Sequence, residues 1–218
     1  MVRHSLVLLV AALLAGTACS VVPTAGERTP PRKTWTCDRE ADEAFRLGDY
    51  DRSIALHQGI LEKEPTNALA LYHIGYAYGR KGDHEKEAAL YEKALDLGFR
   101  KEDLFFNLGM AYGETNRIDR AIEAFRRGVE AYPNSADNHF GLALAYQRSG
   151  TDDDLAEKMF LRTIELDPSF PEARFYLSLL YADNGHVRKA AAQLRKLLEL
   201  DPANQAARDM LERIEKGD

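Results

Sequence analysis

Between Trp35 and the end of the chain, aromatic, small and turn-forming residues return on one beat. Tyr78, Tyr112, Tyr146 and Tyr181 are separated by 34, 34 and 35 residues, and Gly75 and Gly109 by 34. Pro133, Pro168 and Pro202 keep nearly the same interval, and Pro65 lies two periods before Pro133. A fixed period of this size marks a stack of repeated units, each too small to bury its own apolar face. Within a unit, the pairs Gly48-Asp49, Gly82-Asp83 and Gly185-His186 predict tight reversals between two antiparallel helices. The prolines predict the end of each second helix. Small residues at Gly75, Gly109, Ala121, Ala143, Ala156 and Ala190 let helices approach closely, and the Tyr and Phe ladders fill the space left between them. The segment Gln205–Lys216 mixes apolar and charged residues at helical spacing, as expected of a helix that caps the stack against solvent.

The pattern before Trp35 is different. Arg3 and His4 precede an apolar run from Leu6 to Ala15, and Gly16-Thr17-Ala18 supplies small residues for a signal peptidase. Residues 1–18 therefore predict an export signal, too short to span a bilayer, which takes about 20 apolar residues. Residues 19–34 are rich in Pro, Gly and Thr with no helical or alternating period, and predict an extended tether. The folded domain is expected over 35–218.

The repeat resembles the tetratricopeptide repeat (TPR). The unit starting at Glu102 places Phe105, Leu108, Gly109, Tyr112, Ala121, Phe125, Gly128 and Pro133 where that family's consensus has its large, small, aromatic and Pro residues. The unit from Ala68 offers Leu71, Ile74, Gly75, Tyr78, Gly82, Tyr91 and Ala94, and departs at Glu87 and Phe99, where Ala and Pro are expected. The unit from Ala136 offers Leu142, Ala143, Tyr146, Gly150, Ala156, Phe160 and Pro168 around one extra residue in the turn at Thr151–Asp154. The unit from Pro171 offers Leu177, Ser178, Tyr181, Gly185, Ala190, Leu194 and Pro202. A degenerate first unit keeps Gly48, Asp49, Tyr50, Ser53 and Pro65 in register. The resemblance implies an all-α fold, a right-handed TPR solenoid of about five helix-turn-helix repeats (about 34–67, 68–101, 102–135, 136–170 and 171–204), closed by a C-terminal capping helix at 205–216.

The stretch Leu14-Ala15-Gly16-Thr17-Ala18-Cys19 resembles a bacterial lipobox, with Gly16 standing where Leu is usual. That resemblance implies lipidation at Cys19 and attachment to a membrane through acyl chains. Ser20 after the modified Cys then implies the outer membrane, facing the periplasm. Cleavage after Ala18, giving a soluble periplasmic protein, is the alternative.

Composition narrows the chemistry. A formal net charge of -6 and a pI near 5.6 exclude nucleic acid as the expected partner, because phosphate binding needs concentrated Lys and Arg. Two cysteines, Cys19 and Cys37, make no disulfide framework and no zinc-ligand pair. The six histidines (His4, His57, His73, His84, His139 and His186) fall at unrelated repeat positions and form no metal or triad motif, so scattered surface or groove roles are expected. Asp152-Asp153-Asp154 predicts a helix cap rather than a cation loop. No phosphate-binding loop or nucleophile elbow occurs, so no catalytic, cofactor-binding or metal residue is expected, and the chain reads as a non-enzyme.

In TPR arrays the first helix of each repeat lines the concave face. One row there reads Tyr72, Phe106, Phe140 and Phe175, and the row one turn on reads Tyr76, Met110, Leu144 and Leu179, with Asn107 and Tyr176 beside them. The expectation is an apolar strip that binds a helical or extended apolar segment of a protein partner. The chain's own tether or C-terminal helix is the competing occupant. TPR proteins that clamp a C-terminal carboxylate use Lys, Arg and Asn on this face. Only Asn107 fits, while Asp103, Asp137, Gly141 and Glu172 stand where basic or amide groups would be needed. A lipid-anchored TPR array with an apolar groove resembles the pilotin-like lipoproteins of type IV pilus systems, which implies a scaffold for assembly of an outer-membrane complex. A general periplasmic adaptor for cell-wall or outer-membrane-protein machinery is the alternative.

Overall fold

The computed structural model describes Trp35 and residues 38–216. The segments expected to be an export signal and a tether, with Cys19 and Cys37, lie outside the described residues. Among the described residues there are eleven helices and no strand: α1 (Arg39–Arg46), α2 (Tyr50–Lys63), α3 (Ala68–Arg80), α4 (His84–Asp96), α5 (Glu102–Glu114), α6 (Ile118–Ala131), α7 (Ala136–Ser149), α8 (Asp153–Leu166), α9 (Pro171–Asp183), α10 (Val187–Leu200) and α11 (Gln205–Lys216). Consecutive helices pair as five hairpins, and each hairpin packs on the next, which is the expected solenoid. None of the described helices is long and apolar enough to cross a membrane.

The reversals follow local rules. Gly82 takes φ +80° between α3 and α4, a backbone that a side chain would strain. At the equivalent place between α5 and α6 the chain carries Asn116, which adopts φ +57° because a short amide tolerates the left-handed region. Asp49, Asp83 and Asp152 each cap the helix that follows, accepting hydrogen bonds from the backbone N–H groups of Arg52, Lys86 and Leu155. The acidic run at Asp152–Asp154 is thus a cap with two further acids in the first turn, where they face the positive end of the helix dipole.

The departure from Pro at Phe99 has a packing reason. α4 is closed off by Gly98 at φ +88°, just past its C-cap Leu97, with Gly98 N–H donating to Leu95 O and Phe99 N–H to Ala94 O, both at 2.9 Å. The reversal drives the Phe99 ring into the core, 5.3 Å from both Tyr72 and Trp35. A helix stop that proline makes elsewhere by lacking an N–H is made here by a glycine, and the next residue is free to be apolar.

One continuous core runs from Ala68 to Ala190, with Leu104, Leu108, Ala143, Phe160 and Leu177 fully buried along it. α11 extends this stack by setting Ala207 and Met210 against Leu194 and Leu197. It occupies the place of a sixth repeat's first helix, packed on α10, and covers the end of the core.

Candidate functional site

The close approach of the first helices is set at the centre of the array by one ring. Phe125 on α6 is 3% exposed and fills the space between Gly109 on α5 and Gly141 on α7. A β-carbon on Gly109 would fall 2.5 Å from that ring, and one on Gly141 2.1 Å from it. Both glycines are therefore required by contact rather than by backbone conformation, since neither has a positive φ.

Beside this ring, α5, α6 and α7 enclose a cavity of about 80 Å³ whose wall includes Met110, Gly113, Phe125, Leu144 and Arg148. A neighbouring, more open hollow of about 350 Å³ lies between α3, α4 and α5, lined by Tyr76, Gly79, Glu87, Asn107, Met110 and Glu114. Met110, at 36% exposure, borders both. A further hollow of about 610 Å³ runs along α8, lined by Met159 and Leu161 beside Asp154, Lys158 and Arg162, and touches none of these residues.

The second hollow has a charged wall. Glu87, which replaces the consensus Ala, is buried, and its carboxylate lies 2.8 Å from Nδ1 of His84. Gly79 makes room for it, because a β-carbon there would fall 2.3 Å from the Glu87 carboxyl group. Burial raises the Glu87 pKa, and the hydrogen bond from His84 works against that rise.

The predicted groove residues separate into two groups. Tyr72 and Phe140 belong to the core, at 4% and 8% exposure, which corrects their placement on an open strip. Tyr72 packs against Tyr91 and Phe99, and its hydroxyl donates to Asp103 Oδ2 at 2.9 Å. Burial and the Asp103 carboxylate push that phenol well above its usual pKa. Phe140 is enclosed by Phe160, Phe170 and Tyr176. In both cases the next repeat supplies part of the cover. Tyr76, Phe106, Asn107, Leu144, Phe175, Tyr176 and Leu179 are half-buried, and Met110 is exposed. Phe175 and Leu179 lean on the cluster that α11 completes. The line open to solvent is narrower than two full rows and centres on Tyr76, Phe106, Met110 and Leu144.

The histidines correct the expectation of scatter. His57 on α2 and His73 on α3 come together with Asp42 on α1, His57 Nε2 lying 2.8 Å from His73 Nδ1. No sequence motif links these three. The available signal was His57 itself, which takes the slot filled by Tyr91, Phe125, Phe160 and Leu194 in the later repeats.

Comparison with known proteins agrees with this architecture. One tetratricopeptide repeat profile matches residues 39–98 and 152–205, and a second matches 102–135. Comparison with curated proteins returned no match. Among solved structures, the chain is similar to YrrB, described as a TPR protein with an unusual peptide-binding site, at 25% identity and a TM-score of 0.70, covering 79% of this chain and 88% of that one. It is similar to MamA at 25% identity and a TM-score of 0.71, over 77% and 96% of the two chains. A thermophilic TPR protein from Thermus thermophilus, at 22% identity and a TM-score of 0.62 over 81% and 95% of the chains, shares the fold.

Proposed function

The chain belongs to the tetratricopeptide repeat family, a fold of protein-interaction scaffolds, and we propose that its concave face grips an apolar helical or extended segment of a protein that assembles in the bacterial outer membrane. The observation that carries this reading is Met110. It stands exposed between two hollows, one of them floored by the Phe125 ring, in a line with Tyr76, Phe106 and Leu144. An apolar side chain entering the smaller cavity would bury its surface against Phe125 and Leu144, at about 25 cal/mol per Å² removed from water. The described peptide-binding site of YrrB supports use of this fold for a peptide-like segment.

The lipobox-like segment ending at Cys19, followed by Ser20, supports attachment to the outer membrane with the array facing the periplasm. The tether at 19–34 would then hold the array off the lipid surface. Together these features suit a pilotin-like assembly role, in which the anchored scaffold escorts a subunit to the membrane where it inserts.

The test is affinity purification of the lipidated chain from membranes, comparing wild type with a Met110→Glu, Leu144→Glu double variant. A secretin or other outer-membrane assembly subunit should co-purify with wild type and be lost from the variant, while circular dichroism shows unchanged helicity. Retained binding in the variant sinks the groove reading. Recovery of soluble periplasmic proteins or cell-wall enzymes instead replaces the assembly role with a general adaptor. A Cys19→Ala chain should move to the soluble fraction, and its persistence in membranes would overturn lipid anchoring.

A further inference from the structure

We propose that Asp42, His57 and His73 form a site for one zinc-like divalent transition-metal ion, which pins the first repeat to the second. The three residues come from three successive helices and present one donor atom each to a common point. Asp42 Oδ1 lies 3.3 Å from His73 Nδ1 and 3.5 Å from His57 Nε2, and the two nitrogens are 2.8 Å apart. Ligand atoms about 2.0–2.1 Å from a tetrahedral zinc ion are separated by roughly 3.3 Å. The observed edges bracket that value, so small side-chain rotations suffice to receive an ion.

The protons point the same way. His57 is 2% exposed, and its Nδ1 lies 2.8 Å from the backbone carbonyl of Ser53. A carbonyl only accepts, so Nδ1 carries the ring proton and Nε2 offers its lone pair to the cluster. A backbone carbonyl fixing the tautomer behind the ligating nitrogen is the usual support of a metal-binding imidazole. His73 is held by the stacked ring of Phe45, 5.2 Å away. A metal-ligating imidazole is neutral, which leaves the His73 ring with one proton. If its single proton sits on Nδ1, it can serve His57, and then Asp42 Oδ1 is left buried without a hydrogen bond, as found. If the proton sits on the other nitrogen, three lone pairs face one another. In either state the acceptors outnumber the protons between them, and a cation resolves the mismatch.

Donor type selects the ion. Two imidazoles and one carboxylate suit zinc and its first-row neighbours, whereas magnesium and calcium require shells of oxygen. The position gives the site a purpose. His57 occupies the slot in which later repeats bury Tyr91, Phe125, Phe160 or Leu194, and α1 has only 8 residues. A three-helix crosslink would firm up the terminal repeat, because binding free energy at a site assembled only on folding is folding free energy.

The experiment titrates the chelator-stripped full chain in detergent with Zn²⁺ by calorimetry and with Co²⁺ by visible absorption, using Mg²⁺ as control. His73→Phe keeps a ring against Phe45, and Asp42→Asn keeps the side-chain shape. Wild type should bind one Zn²⁺ with affinity that each variant loses by roughly 100-fold or more, at unchanged helicity. Co²⁺ should give the intense bands of a four-coordinate site in wild type alone, and Mg²⁺ should not bind. Absence of Zn²⁺ binding by wild type overturns the proposal, as does equal binding by wild type and either variant. Should His73→Phe fail to fold, Asp42→Asn decides the question by itself.

Discussion

The centre and the N-terminal end of this array solve one packing problem with opposite chemistry. In the third repeat the slot on the second helix holds Phe125, wedged between Gly109 and Gly141 with only apolar contacts to satisfy. In the first repeat the same slot holds His57, buried just as fully, whose ring nitrogens must be matched by Ser53 and His73. The contrast teaches that the slot demands volume and closure first. Apolarity is one way to meet the demand, and a partnered polar ring is another, at the cost of dependence on its partners.

The comparison breaks most severely at the centre. Phe125→Ala should cost about 3–5 kcal/mol, because the ring's burial is lost and two rigid helix backbones cannot collapse into the void. Gly141→Ala should cost about 1–3 kcal/mol by the reverse fault, since the new methyl meets that ring. Urea melts would rank the two, and a Gly141→Ala chain as stable as wild type would show that the ring can step aside.

At the N-terminal end the expected loss is smaller and local. His57→Ala should cost about 2 kcal/mol, at the low end for a large-to-small change, because the terminal repeat can loosen without its neighbours. Hydrogen exchange should speed up in α1 to α3 while α5 to α7 keep their protection. Equal acceleration along the whole chain would mean that the array unfolds as one unit and that the contrast has no energetic meaning.

A pH titration in metal-free buffer sharpens the comparison further. Unfolded, His73 takes its proton near pH 6.5, and folded only near pH 4. Between those values the unfolded state binds more protons, so stability falls as pH falls from 6.5 toward 4, and His73→Phe should remove that slope. Glu87 in the second repeat runs the other way. Its folded pKa is raised by burial, so its contribution is present below the ordinary carboxylate range and is lost as pH rises through the folded value. Glu87→Gln should abolish that opposite trend. Identical pH profiles for wild type and both variants would assign the dependence elsewhere.

The sequence by itself determined the period, the helices, their turns and most of their caps. Those features are local: a Gly or Asn that accepts positive φ, an Asp three residues before an unpaired N–H, a proline after a helix. It also placed Gly109 and Phe125 in the core, because the repeat with its family resemblance states which slots are shared. The tertiary structure alone decided which concave residues are open. Tyr72 and Phe140 are covered by Phe99, Asp103 and Phe170, which arrive from a reversal and from neighbouring repeats. Exposure depends on what the next unit brings, and no spacing within one helix records that. The meeting of Asp42, His57 and His73 was equally hidden, since residues 15 and 16 apart on three helices match no local motif. Stacking places them side by side, and the arrangement exists only once three helices are packed.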